Sequence, residues 1–475
     1  MIWSIAWKNV WRNKIRSGIV ITAFIIGLFG GLFAVATMIG SVNQRVKTAI
    51  GNEVSHIQIH HPKFQDNYDL NLTIENAGKI VDSIRLLPNV TGVSPRIKLF
   101  GMASTAGNAT GIMINGIDVE MEKSVSGIYS LIPPGGGSFF ESNDAKSIVI
   151  GEKLAKTLKL VNYSFTDDNL DKIRKNKNFR DIIILLEPMI GQSFRTEGDF
   201  DKKLTEVLGT KNAKKYSFSL KGIALKYNLR KKIVLSFQAT DGSIAYDAFR
   251  VQGIYKTNNS AFDGLNVYVK NTDLNAIAGF QEGQSHEIAV LFANSEHVIA
   301  GGEQIKTLAP GSMVETWLEI MPDIGMYSEM MDYYLIIFMS IVLLALGFGI
   351  VNTMLMAVLE RVKELGMLMA IGMNKRRVFL MIMLETVFLA LTGAIIGMFI
   401  SYLAINYFGN KGIDLTQFYQ QGLEAFGFDA KLYPEIGLAD FIQVAVLVIL
   451  TGIIASIYPA RKALKLNPAE ATRIE

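Results

Sequence analysis

Four stretches along the chain are apolar and nearly free of charge, and the rest of the sequence is polar. The stretches cover residues 18–40, 335–359, 378–408 and 441–458. A bilayer core about 30 Å thick is crossed by about 20 apolar residues of helix. Nearly 290 residues of mostly polar sequence, 42–330, separate the first stretch from the second. The pattern therefore predicts a membrane protein with four transmembrane α-helices and one large domain inserted between helices 1 and 2.

The pattern divides the chain into nine segments and one insert. They are an amphipathic helix at 1–16, spans at 17–41, 331–359, 378–408 and 439–458, the large domain at 42–330 with a basic insert at about 161–236, a coupling segment at 360–377, a loop at 409–438 and a tail at 459–475.

Within the large domain, the period of the apolar positions changes between that of strands and that of helices. Residues 56–60 alternate between apolar and polar side chains, which is typical of a strand, whereas 73–87 carry a helical pattern. Strand patterns return several times up to residue 292. The insert holds sixteen Lys and Arg against nine Asp and Glu, which predicts either a solvated face or a docking surface for an acidic partner or the membrane. The domain is predicted to be α+β.

The distribution of charge predicts the orientation of the four spans. Residues 1–16 carry a net charge of +4, 360–377 carry +3 and 459–475 carry +2, whereas the loop at 409–438 has only two bases. Loops rich in Lys and Arg stay in the cytoplasm. Both termini and 360–377 are therefore expected inside, and 42–330 outside. The first apolar run is longer than the core of a signal peptide and is expected to be a retained anchor.

No motif for catalysis or metal binding is present in the sequence. There is no Cys and no GxxxxGK[ST], HExxH or G-x-S-x-G pattern. Glu385 lies inside the third span, where pairing with Arg376 or Arg377 is favoured over a proton relay. The chain is therefore not expected to be an enzyme or to bind a cofactor or nucleic acid.

The segment that joins the second and third spans carries a short amphipathic pattern. Val362, Leu365 and Met369 form an apolar stripe with Leu368 beside it, and charged residues surround the stripe. Such a helix could dock into a groove of a cytoplasmic protein. A tight turn held by lipid headgroups is the alternative, and the pattern alone leaves both open.

This segment resembles the coupling region of the FtsX/MacB class of ABC transporter permeases, whose pattern is close to E-R-x-x-E-I-G-x-L-R-A-x-G. The matching positions are Glu360, Arg361, Glu364, Gly366, Leu368, Ala370 and Gly372. Met369 departs from the pattern, since the family commonly has a base there. Segments 350–356 and 458–471 also look like the family, and 286–290 and 316–319 look closer to its lipoprotein-releasing (Lol-type, LolC/LolE-like) branch.

The resemblance implies a MacB-like periplasmic core domain and a permease of the mechanotransmission type in the bacterial inner membrane. A cytoplasmic ABC ATPase dimer would bind ATP and Mg, and a second permease, identical or paralogous, would complete the transporter. The cargo would be lipoproteins, with a periplasmic chaperone as a further partner. The alternatives are MacB-like efflux of periplasmic peptides or toxins and FtsX-like regulation of cell-wall hydrolases.

Three sets of residues are candidates for these roles. The coupling set is Glu360, Arg361, Val362, Glu364, Leu365, Gly366, Leu368, Met369 and Gly372. The candidate cavity for lipid or cargo is Phe24, Leu28, Leu335, Phe338 and Leu346. The glycines for close helix packing are Gly27, Gly31, Gly393 and Gly397, which would serve either the dimer or the single chain.

Overall fold

The computed structural model describes residues 2–141, 146–166, 169, 173–174, 179, 182–281 and 283–464, without the side chains of 417–421. Most of the basic cluster at 172–177 and the part of the predicted tail from 465 onward lie outside these residues. The chain divides into two compact units. The membrane unit comprises residues 1–43, 327–413 and 431–475, and the extramembrane unit comprises 44–326 and 414–430.

Helices and strands are labelled here in chain order over the described residues. The helices are α1 (Ile2–Arg12), α2 (Lys14–Thr48), α3 (Phe64–Asn67), α4 (Ala77–Arg85), α5 (Val119–Val125), α6 (Glu152–Thr157), α7 (Ile183–Leu186), α8 (Glu197–Ala224), α9 (Ser260–Leu265), α10 (Asn271–Ala278), α11 (Val298–Leu308), α12 (Trp317–Ile320), α13 (Pro322–Glu329), α14 (Met331–Glu360), α15 (Val362–Ala370), α16 (Lys375–Lys411), α17 (Thr416–Ala425) and α18 (Leu438–Leu464). The strands are β1 (Ile57–His60), β2 (Val90–Ser104), β3 (Ala109–Ile117), β4 (Ser147–Gly151), β5 (Val161–Ser164), β6 (Ser193–Phe194), β7 (Leu225–Tyr227), β8 (Lys232–Gln238), β9 (Ile244–Tyr255), β10 (Asn266–Lys270), β11 (Glu287–Phe292), β12 (Met313–Thr316), β13 (Ile413–Asp414) and β14 (Lys431–Leu432).

In the membrane unit, four helices of the described chain are long and apolar enough to cross a bilayer: α2, α14, α16 and α18. Three of them extend by several residues beyond the predicted spans, because Lys and Arg at their ends are good helix formers and keep their charges in water. A turn of π-helix, Ala49–Val54, continues α2. The short helix α1 precedes α2 and packs against α16.

Four glycines allow α2 to approach α16 and α14 closely. A Cβ atom added to Gly393 would lie 2.6 Å from the Cβ atom of Phe24, and one on Gly397 would lie 3.2 Å from a Cα atom of α2. On the α14 side, a Cβ atom on Gly27 would lie 2.9 Å from Cδ1 of Leu346, and one on Gly31 would lie 3.0 Å from Sδ of Met339. All four predicted packing glycines therefore make contacts inside one chain.

The extramembrane unit is built on a nine-stranded mixed sheet with the order β12-β1-β11-β2-β3-β10-β4-β9-β8. β2 is long enough to pair with β11 near its start and with β8 along Gly101–Ser104. The second pairing closes six strands, β2-β3-β10-β4-β9-β8, into a barrel, which leaves fewer free edges. The pairs β3–β10 and β4–β9 are parallel, and helices α6, α9 and α10 pack beside them.

The basic insert forms its own small layer on this sheet. Its strands build a three-stranded sheet, β6-β5-β7, which packs with α8 on the same hydrophobic core as the barrel. The predicted insert runs to 236, but β8 already belongs to the barrel. Ile233, Leu235 and Phe237 are buried there and alternate with exposed positions, so that part of the sequence has the period of a sheet strand.

Replacing Gly393 by Ala is expected to destabilise the protein, whereas replacing Gly30 by Ala is not. The Cβ atom at 393 would force α2 and α16 apart, which should lower the free energy of unfolding by about 1–3 kcal/mol. No atom of the described residues lies within 4 Å of a Cβ atom at Gly30. The higher helix propensity of Ala should therefore stabilise the helix there by up to about 1 kcal/mol. Thermal unfolding of the detergent-solubilised chain measures both changes. Equal shifts of Tm in the two variants would contradict this account of the α2–α16 contact.

Candidate coupling site between α14 and α16

The connection between α14 and α16 is a short helix, α15, set between two sharp changes of chain direction. α14 ends at Glu360, and Arg361 leaves the helical conformation with φ −103° and ψ 17°. After α15, Gly372 has φ +101°, which glycine adopts without strain. The side chain of Asn374 then accepts a hydrogen bond from the backbone N–H of Arg376 at 3.0 Å and caps the start of α16.

Arg361 ties α15 to the membrane helix α16. Its Nη1 atom donates to Oε2 of Glu385 on α16 at 3.1 Å, and its Nε atom donates to Oε2 of Glu364 on α15 at 3.1 Å. The side chains of Arg361 and Glu385 are only 14% and 8% exposed. Because a buried carboxylate needs a partner, this contact is expected to hold α15 in one position.

The partner of Glu385 differs from the partners suggested by the sequence. Arg376 and Arg377 lie in the first turn of α16, and both are exposed. The change of direction at the end of α14 instead brings the guanidinium of Arg361 to the carboxylate. Spacing along one helix could not reveal a partner that comes from the preceding helix.

Glu364 and Glu360 connect α15 and α14 to the first helices of the chain. Oε2 of Glu364 accepts a hydrogen bond from Nη1 of Arg12 at 2.8 Å, and Arg16 forms an ion pair with Glu360. The hydrogen bond from Arg12, assisted by Arg361, lowers the pKa of Glu364 below its ordinary value, so this carboxylate is charged at neutral pH. One set of ion pairs thereby joins α1, α15 and α16, and a separate pair joins α2 to the end of α14.

The two faces of α15 have different environments. Leu365 and Gly366 are buried against the helices of the membrane unit, and Val362, Leu368 and Met369 are half-buried. Two other apolar side chains point away from the unit: Met367 is 54% exposed and Ile371 is 80% exposed. The predicted stripe therefore packs largely inside the chain. The apolar surface open to a partner is at Met367 and Ile371, which the sequence analysis missed because α15 is apolar on more than one side.

The candidate cargo residues fall into two places. Leu335 and Phe338 line an apolar groove of about 150 Å³ between α2 and α14. The other lining residues are Ala34, Val35, Met38, Ile39, Met331 and Tyr334. Phe24 and Leu28 do not line it, because they are buried against Gly393 and Gly397, and Leu346 packs over Gly27.

Replacing Arg361 by Gln is expected to lower the stability of the protein by about 3 kcal/mol or more, because Glu385 would keep a buried charge without a partner. Arg376→Gln removes an exposed guanidinium close to the same end of α16 and should leave the free energy of unfolding within about 0.5 kcal/mol of wild type. Thermal unfolding in detergent provides the measurement. The double variant Arg361→Gln/Glu385→Gln should recover part of the loss, and failure to recover any would argue against a direct pair.

Residues 336–468 match the family described as FtsX-like permease C-terminal. The chain is 28% identical over 233 residues to an uncharacterised ABC transporter permease, MJ1507, of Methanocaldococcus jannaschii, covering 48% of this chain and 55% of that protein. It is 31% identical over 131 residues to the macrolide export ATP-binding/permease protein MacB of Bdellovibrio bacteriovorus, covering 27% of this chain and 17% of MacB. The match thus spans about half of the length of the first relative and less than a fifth of the length of the second.

Among solved structures, the periplasmic region of MacB from Actinobacillus actinomycetemcomitans aligns with 59% of this chain and 98% of that structure. The alignment has a TM-score of 0.32 and 11% sequence identity.

Proposed function

Because residues 336–468 match the family of FtsX-like permease C-terminal domains, we propose that this chain is the permease subunit of an ABC transporter that works by mechanotransmission. In this proposal a separate cytoplasmic ATPase binds ATP and Mg and hydrolyses the nucleotide, and this chain turns the motion of the ATPase into work on the other side of the membrane. The single observation that carries the proposal is α15, a short helix with an exposed apolar surface that an ion network joins to the membrane helices.

Met367 and Ile371 are four positions apart, so they lie on one side of α15 and its C-terminal cap. Exposed apolar side chains of this size at the end of a membrane unit are well suited to a groove on a partner protein. The bases Lys363, Lys375, Arg376 and Arg377 flank them in the sequence and are exposed, and under the positive-inside rule they would keep the segment on the cytoplasmic side. The segment therefore offers exposed apolar side chains together with exposed positive charges.

A push on α15 would reach several helices at once. Arg361 would pass it to α16, Arg12 would pass it to α1, and the pair of Glu360 with Arg16 connects the end of α14 to α2. α2 is 35 residues long and continues into the π-helical turn, so it is a stiff element. Rigid elements of this kind carry a displacement across a membrane without absorbing it. A second permease, identical or paralogous, would complete the transporter, with both termini in the cytoplasm of a bacterium and the extramembrane unit in the periplasm.

Ile371→Asp is expected to abolish association with the ATPase while leaving the permease folded, because the side chain is exposed and a buried charge at the interface is strongly unfavourable. Ile299→Asp, at a 73% exposed position of α11 in the extramembrane unit, is the matched control. Affinity purification from the native membrane, with mass spectrometry for proteins that carry a Walker motif, measures the association.

The docking proposal also predicts a direct contact. A photo-crosslinking residue at 371 should capture the same ATPase, and one at 299 should not. Normal association of Ile371→Asp, or crosslinks from 299 alone, would exclude α15 as the docking helix.

For the cargo, we favour release of lipoproteins from the inner membrane. The support is the groove lined by Leu335 and Phe338, which is apolar, open and set between two membrane helices. Transfer of one methylene group from water into an apolar groove lowers the free energy by about 0.8 kcal/mol. A groove of this kind would therefore keep part of an acyl chain out of water during extraction. Export of periplasmic peptides or toxins is the second candidate, and the similarity over 131 residues to a macrolide export ATP-binding/permease protein supports it.

A crosslinking experiment separates the two cargo classes. The chain has no Cys, so single positions can be labelled selectively. Photo-crosslinkers at 335 and 338 should capture radiolabelled lipoprotein acyl chains more often than crosslinkers at Ile442 and Val446, which are exposed positions of α18. Depletion of the protein should also leave lipoproteins in the inner membrane. Equal capture at all four positions with normal lipoprotein release would favour export of soluble periplasmic substrates.

A further inference from the structure

A polar pocket of about 470 Å³ lies in the extramembrane unit, at the start of β4, just before β8 and beside the second half of β9, next to a glycine-rich loop. Its lining residues are Gly137, Ser138, Glu141, Ser147, Leu229, Arg230, Arg250, Val251 and Gln252. Backbone pairing holds the walls together. The N–H of Arg230 donates to the carbonyl of Val251 at 2.8 Å, and Ser147 pairs with Arg250 in the parallel ladder between β4 and β9.

Two arginine side chains of this pocket make no ion pair with the described residues. Arg230 and Arg250 are both exposed, and neither side chain has a hydrogen bond or ion pair within the described part of the chain. Arg230 also has φ +62°, a conformation that is uncommon for a residue with a side chain. The guanidinium group binds phosphate and carboxylate oxygens with two parallel hydrogen bonds. The pair is therefore suited to a single oxyanion.

The floor of the pocket carries a hydroxyl group that lacks a partner. Ser147 is 1% exposed, and its Oγ atom makes no hydrogen bond to the described residues. Buried hydroxyl groups are normally hydrogen-bonded, and one that is not destabilises the protein. A ligand that entered between the two arginines would give this hydroxyl an acceptor.

The opposite wall is organised by hydrogen bonds among its own side chains. Oγ of Ser138 donates to Oε1 of Glu141 at 2.8 Å, and Nε2 of Gln252 donates to Oγ of Ser138 at 3.3 Å. The carboxylate of Glu141 can still accept a hydrogen bond from a ligand hydroxyl or amine. The pocket is much larger than one hydroxyl group requires, so it has room for a molecule with an anionic group at one end and hydroxyl or amine groups at the other.

We propose that this pocket binds a phosphate-bearing ligand, with Arg230 and Arg250 on the phosphate oxygens and the hydroxyl of Ser147 donating to one of them. The phosphate would belong either to a small soluble molecule or to the headgroup of an anionic lipid. The proposal does not require the ATPase, so its failure would leave the transporter function untouched, and the reverse is also true.

The first experiment titrates inorganic phosphate into the full chain in phosphate-free detergent buffer at constant ionic strength, with calorimetry and Tm as readouts. Arg230→Gln and Arg250→Gln should each weaken phosphate binding by about tenfold or more. Arg85→Gln removes an exposed arginine at the end of α4 and is the matched control, with binding expected to equal wild type. A control that loses as much affinity as the two variants would overturn the proposal.

Ser147→Ala separates a binding role from a structural one. Removal of a buried hydroxyl without a partner should raise Tm in the absence of phosphate, and the same change should lower phosphate affinity. A lower Tm, or unchanged affinity, would show that the hydroxyl serves the fold and not a ligand.

The second experiment distinguishes the two sources of phosphate. The wild type and the Arg230→Gln/Arg250→Gln variant are compared in phosphatidylcholine nanodiscs with and without phosphatidylglycerol. An increase in Tm with phosphatidylglycerol that only the wild type shows would assign the site to a lipid headgroup. Binding of inorganic phosphate without that increase would assign it to a soluble ligand. No response in either experiment would refute the site.

Discussion

The buried ion pair between Arg361 and Glu385 is the interaction on which the membrane unit depends for its proposed role. Glu385 is a carboxylate inside a membrane helix, and such a group is tolerated only with a partner. The partner comes from the end of α14, and the same guanidinium also holds Glu364 of α15. One side chain thus links α15 to α16, in addition to the packing of Leu365 against the membrane unit.

Close packing between the helices complements this ionic connection. Gly393 and Gly397 bring α16 to the backbone of α2, and Gly27 and Gly31 bring α14 to its other side. Close-packed apolar interiors have low compressibility, so in the proposed role a displacement at α15 would be passed on to the helices that pack around it. The close approach of the helices explains why the arrangement uses small residues where they touch.

The sequence predicted the components of the site better than their arrangement. The motif residues Glu360, Arg361 and Glu364 could be named because the segment resembles the coupling region of the FtsX/MacB class, and such a motif is a local property of the sequence. The exposed surface of α15 could not, because Leu365 and Ile371 are equally apolar and only their packing distinguishes them. Likewise, the pairing of Glu385 with Arg361 joins residues on consecutive helices whose relative orientation depends on a turn, and hydrophobic patterns do not encode that orientation.

By itself, the sequence determined that four helices cross the membrane, that one large α+β domain follows the first, and that a short amphipathic segment links the second and third. Each of these follows from length, hydropathy and period, which are local properties of the chain. The tertiary structure alone decided that β2 closes a barrel with β8, that the glycines pack within one chain, and that Arg230, Arg250 and Ser147 share a pocket. Those outcomes bring together residues far apart in sequence, and only the packing of the whole chain selects such contacts.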